Sequence, residues 1–99
     1  MVIVTKVSYP TESSKEMAKK FLEAPQMPDY IVRKGPYVTS NTCEGIHVMT
    51  VSELDNSRLA EGLDFTASYM TLFYGIPGFK YEMKPYFEVE EALKLLGMG

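Results

Sequence analysis

The chain holds one histidine and one cysteine in 99 residues, so side chains able to move a proton or act as a nucleophile are few. His47 sits in Ile46-His-Val-Met-Thr-Val51, a run with the pattern of a strand. An imidazole there can act as a general base or as a hydrogen-bond partner for a ligand, or it can simply pack in the strand. Met49 shares its strand face, which gives it apolar surroundings. Arg33 carries a planar fork that takes a carboxylate bidentately, or pairs with a surface acid. Tyr37 and Tyr9 offer phenol groups to a pocket, or rings to an interface. His47 is therefore the candidate catalytic residue. Arg33, Tyr37, Met49 and Tyr9 are the candidate ligand-binding residues.

Other chemistries lack their residues. Cys43 lies in a polar turn, Asn41-Thr-Cys-Glu-Gly45, with no Lys or Arg beside it, so nothing marks a reactive thiol. A lone cysteine excludes an intramolecular disulfide, and a lone histidine excludes a multi-histidine metal cage. The chain has no Gly-rich phosphate loop, CxxC, HExxH or GxSxG. No metal or cofactor is expected. Net charge is −3, and Lys and Arg form no stripe, which argues against nucleic acid as a partner. No apolar run approaches the roughly 20 residues of a membrane-spanning helix. The first residues, Met1-Val-Ile-Val-Thr-Lys6, enter a strand pattern rather than a signal peptide. The expected location is cytoplasmic, with no membrane partner.

The elements that must position these residues follow from periodicity and punctuation. Val2–Tyr9 is rich in β-formers and ends at Pro10, so it reads as a strand. Thr11 or Ser13 can cap a helix running to about Ala24, with Met17, Ala18 and Phe21 on its apolar face. Tyr30 to about Ser40 is a second strand, broken at Gly35-Pro36 by a bulge or because it is an edge. After the hairpin turn, Ile46–Val51 is a third strand, apolar on both faces: Ile46 and Val48 on one, Met49 and Val51 with His47 on the other. A strand apolar on both faces is covered on both.

Asp55–Gly75 reads as one long helix. At about 100° per residue, Leu59, Leu63, Thr66, Ala67, Met70, Phe73 and Tyr74 form its main stripe. Phe65, Tyr69 and Leu72 form a second ridge that needs its own partner, expected to be a C-terminal helix. That helix is marked by Val89, Ala92, Leu93 and Leu96. Phe79–Phe87 supplies a fourth strand, with Phe79, Tyr81 and Met83 alternating with Lys80, Glu82 and Lys84. No internal repeat or linker interrupts the chain, so residues 1–99 are expected to form one α+β domain.

The order βαββαβ plus a short C-terminal helix is a ferredoxin-like sandwich. With its doubly apolar third strand and long second helix, the chain resembles the dimeric α/β-barrel superfamily over Val2–Phe87. The resemblance implies that two protomers pack their open sheet faces into one barrel. It also implies activities such as cofactor-independent oxygenation or isomerisation of small molecules. The haem-degrading members use an Asn, Trp and His constellation, and this chain has no Trp. No catalytic residue is carried over.

The sequence therefore points to a homodimer that binds a small apolar or aromatic molecule, with His47, Arg33 or Tyr37 orienting it. The alternatives are an oligomeric module without enzymatic activity and a ligand-sensing regulatory domain. If Ile46 and Val48 pack under the helices, His47 faces the open side of the sheet.

Overall fold

A computed structural model of the chain describes residues 1–43 and 45–99. The strands are β1 (Val2–Tyr9), β2 (Val32–Asn41), β3 (Gly45–Glu53) and β4 (Lys80–Tyr86). The helices are α1 (Ser14–Glu23), α2 (Leu59–Thr71) and α3 (Val89–Leu95), with single 3-10 turns leading into α1 and α2. The sheet is antiparallel throughout in the order β2-β3-β1-β4. This α+β layout has ferredoxin-like order, as the sequence pattern indicated. Glu44 of the expected hairpin turn lies outside the described residues. None of the described helices is long and apolar enough to cross a membrane.

Both strand prolines fall on edges. Pro85 is in β4 and Pro36 in β2, the two outer strands, where a missing N–H leaves no inner ladder broken. At Gly35-Pro36 the register slips: Lys34 pairs with Val51 but Tyr37 with Met49, three steps on β2 against two on β3. The expected break is thus a bulge on an edge strand. Gly35 has φ +95°, and a Cβ there would lie 2.9 Å from Tyr37 N and 3.0 Å from Met49 O. Only glycine fits such a backbone comfortably.

Cross-strand register sorts the side chains into two faces. Ile3, Thr5 and Val7 of β1 pair with Ser52, Thr50 and Val48 of β3, and this row is turned toward the helices. Val7 joins Met17, Tyr69, Met70, Phe73 and Ile76 in the core. The other row, Val2, Val4, Lys6 and Ser8, pairs with Glu53, Val51, Met49 and His47. It forms the open face of the sheet.

Several element details differ from the sequence reading. β3 continues two residues past its expected end at Val51, through Ser52 and Glu53. Tyr30 lies in a turn before β2. Thr11 and Ser13 do not cap α1; the Ser13 hydroxyl instead donates to Pro77 O at 2.6 Å. Asp55, the expected start of the second helix, accepts from Ser57 N at 2.9 Å and caps a 3-10 turn that precedes α2.

The buried stripe of α2 is Gly62, Thr66, Tyr69 and Met70, continuing into Phe73 beyond the helix. Leu63 is only half-buried. The stripe is rotated because Gly62 takes the closest approach to the sheet, against Leu54 and Ile3. A residue with no side chain carries no weight in an apolar pattern, yet it decides which way the helix turns.

The C-terminal helix does not cover the second ridge. α3 follows the end of β4 that pairs with Val2, whereas Leu72 and Tyr74 lie at the Tyr9 end of the sheet. There Tyr74 meets Tyr81, hydroxyl to hydroxyl at 3.0 Å, and Phe79 stacks on Tyr81. α3 is held by Glu91, which pairs with the Met1 amine at 2.7 Å and accepts from Asn56 at 2.7 Å.

Candidate functional site

Between the two long helices and the sheet lies a chamber of about 230 Å³. Its floor is the helix-facing row of β1 and β3: Thr5, Val7, Val48, Thr50 and Ser52. Met17, Ala18 and Phe21 of α1, with Thr66, Tyr69 and Met70 of α2 and Phe73 beyond it, form its roof. Pro36, Val38 and Arg33 line its β2 side, where Phe21 and Val38 remain exposed to solvent. The mouth therefore opens along the β2 edge.

The roof follows from local structure. Tyr69 tilts against Phe65 on one side and Phe73 on the other, with centroids 6.1 and 5.9 Å apart, within the range of favourable aromatic pairs. The Thr66 hydroxyl returns to Gly62 O at 2.8 Å within the helix. That satisfies its donor inside an apolar surface.

The expected site residues separate into two sets. Arg33 and Tyr9 line the chamber. His47, Tyr37 and Met49 lie on the open face: His47 pairs with Ser8 and Thr39, and Tyr37 with Met49. The bulge is the reason Arg33 and Tyr37 part company. Strict alternation puts positions 33 and 37 on one face, and one extra residue between them reverses the second.

Arg33 and Tyr9 stand near opposite ends of the chamber. Arg33 pairs with Ser52 and Tyr9 with Ile46, and six residues of strand span ~20 Å. The Arg33 guanidinium lies 5.5 Å from the Phe21 ring centroid, inside cation–π range. Burial raises the Tyr9 phenol above its ordinary pKa of 10.0, by disfavouring the charged phenolate.

Among the described lining residues, Tyr9, Tyr69 and Arg33 are the only ones with ionisable groups, and no carboxylate, imidazole or thiol is present. The described residues contain no group of three His, Cys, Asp or Glu able to hold a metal. Cys43 is exposed, and its N–H donates to Asn41 Oδ1 at 3.0 Å.

Sequence reasoning missed Thr5, Thr50, Ser52 and Thr66, which bring hydroxyl groups to a mostly apolar space. The available signal was a polar residue at an inward position of β1, Thr5 between Ile3 and Val7. No protein-family model, curated protein or solved structure matches the chain.

Proposed function

We propose that this protein binds a small, mainly apolar molecule in the chamber between its helices and its sheet. The carrying observation is the chamber itself: 230 Å³, walled by Met, Val and aromatic side chains. A dry apolar cavity of about 150 Å³ accepts benzene, and pockets for drug-sized ligands begin near ~300 Å³. The space suits one ring with a substituent. Proton-transfer chemistry would need a base, and the described lining residues include no carboxylate or imidazole to serve as one. Binding, for carriage or sensing, is therefore favoured over turnover.

The open face supports a second part of this reading, a two-fold dimer. Val32, Tyr37 and Met49 are 58%, 57% and 41% exposed there, beside Val4 and Val51. Exposed apolar side chains grouped in this way mark an interaction site, and two-fold self-association is the commonest way to cover them. Charged residues share the face: Lys6 stands across from Met49, Lys34 across from Val51 and paired with Glu53 at 3.1 Å, and Lys80, Glu82 and Lys84 fill the β4 side.

The methionines provide the test. Met17, Met27 and Met70 line the chamber, while Met49 lies on the opposite face. With methyl-labelled methionine, toluene at millimolar concentration should shift the three chamber signals saturably and leave Met49 unmoved. Unmoved chamber signals, or shifts confined to Met49, would overturn the binding reading.

A further inference from the structure

Arg33 is a permanent cation at the wall of an apolar chamber. Among the described residues, no carboxylate lies within ion-pair distance of it. Its recorded partner is the face of Phe21, 5.5 Å away. The other described arginine, Arg58, shows the contrast: it stacks on Tyr30 at 3.9 Å and also holds Glu61 at 2.9 Å. A guanidinium at a chamber wall with no described carboxylate beside it can take its opposite charge from a ligand. Arg33 is half-buried, and Ser52 stands directly across the ladder from it.

We infer that the chamber's ligand is a small aromatic carboxylate, its acid group on the Arg33 fork and its ring under Phe21, Tyr69 and Phe73. The inference rests on the binding reading above and names the ligand class for the same site. A guanidinium offers two parallel N–H donors matched to the two oxygens of a carboxylate. The cation–π contact with Phe21 restrains the guanidinium before the ligand arrives, which lowers the ordering cost of binding. The ring faces of the roof favour an aromatic body over a saturated one. The volume of 230 Å³ limits that body to one ring.

Three probes of similar size separate the claims: benzoate, its neutral isostere benzamide, and toluene. Each is titrated at pH 7 into the wild type, Arg33→Leu and Arg33→Lys, and read on the Met17, Met27 and Met70 methyl signals. Benzoate should bind wild type at least about tenfold more tightly than benzamide, as a charge-assisted pair predicts. Arg33→Leu should abolish that preference while toluene binds as before, which also shows that the fold survives. Arg33→Lys should retain part of it, because the charge remains and the fork is lost. Equal affinity for benzoate and benzamide, with toluene still bound, would overturn the carboxylate assignment and leave the chamber reading standing. No chamber shift with any of the three probes would overturn both.

Discussion

Gly62 of α2 meets Ile3 of β1 with no side chain between them. A Cβ at Gly62 would lie 3.3 Å from Ile3 Cδ1 and inside contact distance of Leu54 Cδ1. Ile3 is fully buried and has little room to retreat. Gly62→Val should therefore cost about 1–3 kcal/mol through overpacking. Ala60→Val, on the exposed side of the same helix, should stay within about 0.5 kcal/mol. Urea melts of the two variants measure the difference. Equal losses would mean that α2 does not approach the sheet at Gly62.

The rotation of α2 separates two positions that its apolar pattern treats alike. Met70 is 6% exposed and belongs to the core, whereas Leu63 is half-buried. Met70→Ala should cost ~2–5 kcal/mol, from lost transfer energy and the cavity left behind. Leu63→Ala should cost less than half as much. Denaturation midpoints at unchanged m-value report the ranking, and equal losses would restore the stripe expected from sequence.

The attachment of α3 should depend on acid. Hydrogen bonds from the Met1 amine, the Glu88 N–H and Asn56 lower the Glu91 carboxyl from 4.5 to about 2. A carboxyl held lower in the folded state contributes stability that is complete above about pH 4.5 and is lost as pH falls toward 2. The amide signals of residues 89–95 should thus hold their positions down to about pH 4, then move together with the Glu91 carboxyl resonance. Glu91→Gln should loosen α3 already at pH 7. Signals of α3 that ignore both the acid and the substitution would detach Glu91 from this role.

The two faces of the sheet should respond independently. Met49→Lys places a second lysine directly across from Lys6 on the open face, where like charges repel, and should convert a dimer into a monomer in sedimentation at high micromolar concentration. The same variant should keep the toluene-induced shifts of Met17 and Met70. His47→Ala should keep them as well, because His47 lies on the side of the sheet away from the chamber. A wild type that sediments as a monomer at that concentration would remove the dimer. Chamber shifts lost in His47→Ala would place the imidazole in contact with the ligand.

Particular residues show where the sequence was legible. Val2–Tyr9 appears in its expected span, and the split of Ile46 and Val48 from His47 and Met49 follows directly from period-two alternation. Pro36 announced its bulge because a residue without an N–H cannot hold a ladder. Two features stayed hidden for the same reason: each is set by a glycine. Gly62 sets the phase of α2 and Gly35 the phase of β2, and neither adds to an apolar pattern. The chamber was hidden because its floor mixes Thr and Ser with Val, which blurs the inward signal of β1 and β3. Arg33 and Tyr9 were recognisable as candidates by type, but their shared chamber exists only once both helices lie on the sheet.

The bulge in β2 also makes the protein's two surfaces tolerant of one change in chain length. Loss of the single codon for Pro36 would set Lys34, Gly35 and Tyr37 one-to-one against Val51, Thr50 and Met49. Tyr37 and Thr39 would stay on the open face and Val38 on the chamber side, because the deletion removes only the residue that the bulge had absorbed. Loss of a codon from the regular part of the strand, such as that for Val38, turns Thr39 and Ser40 to the opposite faces, so the bulge is the place in β2 where a residue can be lost without exchanging the two linings.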